Sequence, residues 1–153
     1  KRTSPGFLFA TLLWHEVLAA WEARRKNGEP PIPALHTAMD EVLDIQGGKL
    51  AITRRIAADI KDIWILQPRL ENRAGRRPLR VIEQPRFKAA YDFLLLRAES
   101  GEQERELADW WRVFLEADTE TRLAMLTPEK KSARRRRRRR KGDGEAAPAE
   151  ADA

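Results

Sequence analysis

Apolar residues recur along the chain at the three- and four-residue steps of an α-helix, and Pro, Gly and Ser cut that pattern into segments. Ser4-Pro5 is a helix start, an N-cap hydroxyl followed by Pro at the first helical position. Phe7, Thr11, Trp14, Leu18 and Trp21 then form one stripe, and Phe9, Leu13, Val17 and Ala20 a second. The spacing predicts a first helix that is apolar on two sides and clamped between neighbours. Asn27-Gly28 ends it, and Pro30, Pro31 and Pro33 make a stiff connection.

A second helix is expected from about Pro33 to Gln46, burying Leu35, Met39, Val42 and Leu43, with Gly47-Gly48 as its stop. A third begins near Thr53, puts Ile56, Ile60, Ile63 and Trp64 on one face, and is closed by Pro68 or followed by a short turn that starts there. Residues 69–84 are Arg-rich, punctuated by Gly75 and Pro78, with room for one short helix around Leu79–Glu83. The fourth helix reads most clearly: Phe87, Ala90, Tyr91, Leu94, Leu95 and Ala98 share a face up to Ser100-Gly101. A fifth runs from about Glu102 to Ala117 with Leu107, Trp110, Trp111 and Phe114 inward, and a short last helix covers Glu120–Leu126. No segment alternates like a strand. The expected fold class is all-α: a compact bundle of five or six helices over residues 1–127, followed by a disordered Arg-rich tail at 128–153.

Composition narrows the function. The chain has 153 residues, is 42% hydrophobic, and holds no Cys and only two His, which suits one domain and removes thiolate zinc sites, disulfides and Cys nucleophiles. Lys1-Arg2 followed by the apolar run Phe7–Trp14 resembles a secretory signal, but His15-Glu16 stops the run and no small-residue cleavage site follows. It is too short to span a bilayer, which needs about 20 apolar residues. The expectation is a soluble, cytoplasmic chain with no membrane insertion. Because Met does not come first, the chain is expected to be a fragment or a processed piece.

Candidate catalytic groups are few. Asp40/Asp44, Asp59/Asp62, Glu102/Glu104/Glu106 and Asp118/Glu120 are close carboxylates of the kind that hold Mg²⁺. Asp59 and Asp62, however, sit among Arg54, Arg55 and Lys61 and read as intrahelical partners. The Glu102–Glu106 group suits a helix N-terminus. His36 has helical spacing to Asp40, yet no Ser, Thr or Cys nucleophile is in register with the pair. Gly47-Gly48 is not a phosphate loop. Trp64, Trp110 and Trp111 could stack on bases, but their spacing favours core packing. The residues alone describe a binding module, with no catalytic residue and no metal site.

Charge supplies the positive signal. Residues 49–88 carry 11 basic and 4 acidic groups, while residues 89–127 carry 4 basic and 9 acidic. The basic segment holds Arg54, Arg55, Lys61, Arg69, Arg73, Arg76, Arg77 and Arg80, the expected track for a nucleic-acid backbone, since arginine favours bidentate phosphate contacts. Arg86 and Lys88 follow it, flanking the apolar Phe87 stripe. Arg54 and Lys61 are seven residues apart on one helix face, and Arg73 to Arg80 are expected in a loop around Gly75. A face neutralised by the acidic segment is the plainer alternative. Arg134, Arg135, Arg136, Arg137, Arg138, Arg139 and Arg140 follow as an unbroken run that reads charge and not bases. Neutralising about five phosphates of a single strand, the run would add roughly −3.5 to the log–log salt slope.

The longer motifs are specific. Ile63-Trp64-Ile65-Leu66-Gln67-Pro68-Arg69, Arg73-Ala74-Gly75-Arg76-Arg77-Pro78 and Pro85-Arg86-Phe87-Lys88-Ala89-Ala90-Tyr91-Asp92-Phe93-Leu94-Leu95-Leu96-Arg97, with Glu99-Ser100-Gly101-Glu102, resemble the C-terminal region of the bacterial poly(A) polymerase I family. Ser4–Trp14, Pro30–Leu35 and the arginine-rich end are similar to it too, so the resemblance covers nearly all of residues 4–141. It implies a parent enzyme that adds adenylates from ATP, with Mg²⁺, to RNA 3′ ends and so marks transcripts for decay. In that family the catalytic head lies N-terminal, with a Gly-Ser followed by two Asp one residue apart, and this chain has no such motif. The resemblance therefore implies a fragment that holds single-stranded RNA 3′ ends and does no chemistry itself. Its implied partners are that RNA, the missing N-terminal catalytic region, which one face of the first helix would meet, and RNA-decay proteins. ATP and Mg²⁺ would serve the parent enzyme, with no cofactor in this chain.

Two other classes fit parts of the sequence. A helical protein-interaction module docking an acidic or RNA-decay partner would use the same arginines. A DNA-binding or membrane-surface domain would share the basic tail only.

Overall fold

The Ser4 hydroxyl accepts from the Phe7 backbone N–H at 3.3 Å and Pro5 fills the first turn, so α1 (Pro5–Lys26) starts where its cap predicts. This computed structural model describes residues 4–128. After α1 come α2 (Pro31–Gly47), α3 (Arg54–Glu71), α4 (Arg77–Val81), α5 (Phe87–Glu99), α6 (Arg105–Glu116) and α7 (Thr119–Met125). Among the described residues there is no strand, and the fold is all-α, as the periodicity predicts. The two short helices α4 and α7 bring the count to seven, where the pattern suggested five or six. The basic tail and its expected disorder lie outside the described residues.

Two apolar clusters share α3 as their spine. The first gathers Leu13, Trp14 and Val17 of α1, Leu35 and Met39 of α2, Ile60, Ile63 and Trp64 of α3, and Phe93 of α5. The second gathers Leu66 and Leu70 of α3, Val81, Leu94, and Leu107, Trp111 and Phe114 of α6. Half-buried Ile65 packs against both. Indole donors tie the junctions. Trp21 Nε1–H reaches the Pro31 carbonyl at 2.8 Å, Trp64 the Ala10 carbonyl at 3.1 Å, and Trp111 the Leu70 carbonyl at 2.8 Å. Gly6 lets α1 approach α3 closely: a Cβ there would lie 3.1 Å from the Asp59 Cβ.

Several expectations need correction. Pro68 does not close α3, which continues to Glu71. The proline forfeits one backbone donor, but buried Gln67 and Leu70 on either side of it, and the Trp111 bond to Leu70, hold the last turn in place. α5 buries a broader face than its predicted stripe: Phe93 and Arg97 are buried, while Leu95 is exposed. It lies against α1 and α3 on one side and α6 on the other, so one stripe cannot serve both clusters. On α1 the buried face runs through Ala10, Leu13, Trp14, Val17 and Trp21, and Leu8 and Leu12 are left outside it.

At the junction of the clusters sits a buried arginine. Arg97 is 6% exposed. Its guanidinium donates twice to Glu102, at 2.6 and 3.1 Å, and once to Gln67 Oε1 at 2.9 Å, and it lies 4.8 Å from the centre of the Trp14 ring. Gln67, itself buried, turns its amide N–H groups to the carbonyls of Ile63 and Ala90. One side-chain pair thus joins α1, α3, α5 and the loop before α6. The Trp14 Nε1–H is buried without a hydrogen-bond acceptor among the described residues, so cation–π contact is the polar interaction its ring makes there.

Candidate nucleic-acid interface

The basic residues of the expected track divide into three groups. Arg54 and Arg55 occupy the first turn of α3, exposed and with no carboxylate in that turn. Two positive charges at a helix N-terminus oppose the helix dipole, so helix stability does not explain them. Arg69, fifteen residues on, lies about 22 Å away at the helical rise. The sequence density of arginine therefore does not become one continuous strip.

The second group is already engaged. Lys61 bonds Asp40 on α2 at 2.5 Å, and Arg86 bonds Asp59 on α3 at 2.6 Å. These are bridges between elements, and the intrahelical pairing expected for Asp59 is not formed. Arg73 forks onto Glu106 of α6 at 2.6 and 3.1 Å and lies 5.7 Å from the centre of the Trp110 ring. The Arg73 hydrogen bond holds the Glu106 carboxyl below its ordinary range.

The third group converges. Arg69 at the end of α3 and Arg77 and Arg80 of α4 line a cleft of about 310 Å³ together with Ile32, Pro68 and Asn72. Arg77 and Arg80 stand on a helix and not in the flexible loop expected for them; Pro78 at the start of α4 and the packing of Val81 fix that turn. Among the described residues neither Arg69 nor Arg80 has a carboxylate partner. Arg76, exposed, caps α4 from outside the cleft. A guanidinium cluster of this kind donates to phosphate oxygens, and the apolar Ile32 and Pro68 offer a surface for a base or sugar beside them.

A second, more open groove of about 600 Å³ adjoins the cleft. Its walls are Glu71, Arg73, Ala74 and Thr127, and Pro68 and Asn72 belong to both. Glu71 here accepts from Gln103 Nε2 at 2.7 Å. Asn72 Oδ1 accepts from the Ala74 N–H at 3.1 Å, and Gly75 takes φ +60°, shaping the turn between α3 and α4. Thr127 is pinned to that turn. Its N–H and hydroxyl donate to the Arg73 carbonyl at 3.2 and 3.1 Å, and its own carbonyl accepts from Gly75 N–H at 2.9 Å. Ile32, Asn72 and Thr127 were not singled out in the sequence, because neutral residues near the arginines give no charge signal.

Of the tryptophans considered for base stacking, Trp64 and Trp111 are fully buried, and half-buried Trp110 already stacks on Phe114 at 4.8 Å. Among the described residues no three His, Asp or Glu side chains gather so as to hold a metal ion. No helix among them is long and apolar enough to cross a membrane.

Comparison with known proteins decides the family. The family model described as "Polymerase A arginine-rich C-terminus" matches residues 27–143. The chain belongs to that family. Poly(A) polymerase I of Salmonella typhi is 34% identical over 151 residues, and the protein of the same name from Escherichia coli O6:H1 is 39% identical over 140. Each match covers 88% of this chain. Poly(A) polymerase I of Haemophilus influenzae is 37% identical over 132 residues, or 85% of the chain. The chain spans only 29–32% of the length of these relatives. The arginine cleft and the pinned Thr127 both fall inside the matched region.

Proposed function

We propose that this chain is the RNA-holding C-terminal part of a bacterial poly(A) polymerase, gripping a single strand without doing chemistry itself. The observation that carries the reading is the convergence of Arg69, Arg77 and Arg80 on one cleft in a member of this family. In the parent enzyme, adenylate addition from ATP with Mg²⁺ would belong to the catalytic region, and the grip described here would raise the local concentration of RNA 3′ ends beside it. Marking transcripts for decay in the cytoplasm follows from the same reading. The catalytic region is the second proposed partner, and the apolar Leu8 and Leu12 of α1, 58% and 62% exposed, support a contact on that face.

Fluorescence anisotropy of a labelled single-stranded RNA, titrated with the full chain at several salt concentrations, tests this. The expected result is salt-sensitive binding that duplex DNA and anionic vesicles displace poorly. Displacement by either competitor at equal phosphate concentration contradicts it.

A further inference from the structure

We infer that the cleft of Arg69 and Arg80 reads bases as well as phosphates, with Asn72 as the residue that discriminates. It favours a base that presents two neighbouring acceptors, guanine or cytosine, over adenine. The inference rests on the RNA-binding reading above and deepens it by naming the bases that the grip prefers.

The orientation of the Asn72 side chain is fixed. Its Oδ1 accepts from the Ala74 N–H at 3.1 Å, and since an amide nitrogen cannot take that bond, the NH₂ is the end left over. Among the described residues that NH₂ has no acceptor, although half-buried Asn72 lines both the cleft and the groove. Arg69 and Arg80, which share the cleft wall with it, are donors only. Acceptors close by are already taken. The Arg69 carbonyl accepts from the Asn72 N–H at 3.3 Å, the Leu70 carbonyl from Trp111 and the Glu71 carboxylate from Gln103. The cleft side chains thus offer donors to whatever enters.

Bases answer such a wall differently. Guanine sets O6 beside N7, the edge that paired donors meet best, and cytosine sets O2 beside N3. Adenine places its N6 amine next to both N1 and N7, so a second donor there faces a donor and goes unpaired. A volume of about 310 Å³ lies at the small end of ligand sites and suits one nucleotide, its phosphate on one guanidinium and its base against Ile32 and Pro68. Adenylates would be held here through their phosphates alone. The grip would therefore favour a transcript's own bases over a tail of added adenylates.

Three labelled RNAs test this by anisotropy with the full chain: eight adenylates, and the same strand with one central guanine or one central cytosine. Guanine, cytosine or both should tighten binding at least about fivefold, the lower end for a bidentate base contact, and which of them does so identifies the edge that is read. The salt slope should stay the same across the set, because base contacts release no counterions. Asn72→Asp keeps an acceptor for Ala74 and loses the donor, so it should bind every strand more weakly and abolish the guanine gain. Asn72→Ser, whose shorter hydroxyl still accepts from an N–H two residues on, should abolish it without the added charge, and thermal melts check that both variants fold. Adenylates bound as tightly as the other strands, or a guanine gain that survives in the folded variants, overturn the inference and leave RNA binding standing. Failure of all three strands to bind the unaltered chain overturns the RNA-binding reading as well.

Discussion

Replacing Arg97 by Ala removes the polar centre on which α1, α3, α5 and the loop before α6 converge. The guanidinium is 6% exposed and makes three hydrogen bonds. Gln67 Oε1, in a residue 1% exposed, would lose its charged donor at a cost of about 1–3 kcal/mol. The Glu102 carboxylate, 24% exposed, can partly rehydrate, so its lost fork adds about 1–2 kcal/mol. Loss of the Trp14 ring contact adds about 0.5–2 kcal/mol. The three together span about 2.5–7 kcal/mol, and the cost of removing one partner from a buried ion pair sets the expected loss within that span at about 3–5 kcal/mol. At about 4 °C per kcal/mol for a domain of this size, the melting temperature falls by roughly 12–20 °C. Urea unfolding of the full chain measures it, with Glu102→Gln expected to cost less because its amide oxygen can still accept. A loss below about 1 kcal/mol for Arg97→Ala, at unchanged m value, would refute the assignment.

Other perturbations separate structural from functional charges. Trp111→Phe keeps most of the ring but orphans the Leu70 carbonyl in the core, and should cost about 1–3 kcal/mol by the same unfolding assay. Lys61→Met should change stability by no more than about 1 kcal/mol, because Lys61 and Asp40 are 42% and 57% exposed; a larger loss contradicts the surface reading of that bridge. Acidification tests Glu106. Its carboxyl is lowered in the folded state, so its stabilising contact with Arg73 is complete above the ordinary value of 4.5 and is lost only as pH falls through the lowered one. Fluorescence of Trp110, which lies under Arg73, should therefore titrate below 4.5, and a midpoint at or above it counts against the pairing.

The helices were legible because caps and apolar spacing are local. Ser4 and Thr53 each accept the capping bond that their position predicts. What lay beyond the sequence was set by neighbours. The continuation of α3 past Pro68 depends on Trp111, which is 41 residues away along the chain from the Leu70 it bonds. The burial of Arg97 had a sign in retrospect, since it falls between Leu94 and Ala98 on an inward face of α5, but its partners come from α3 and the next loop.

The basic track shows the same limit. Charge density marks Arg54 to Arg80 alike, yet it carries no information on helix length or on which carboxylates answer across helices. The structure separates Arg54 and Arg55 from the cleft by most of α3, commits Lys61 and Arg73 to acidic partners, and leaves the cleft arginines together.

The most direct measurement is the salt dependence of RNA affinity for the full chain and for its Arg69→Gln, Arg80→Gln double variant. Each lost phosphate contact on a single strand removes about 0.7 from the log–log slope, so the variant should show weaker binding and a slope shallower by roughly 1.4. Affinity and slope both unchanged would contradict the account, placing the whole grip outside the cleft.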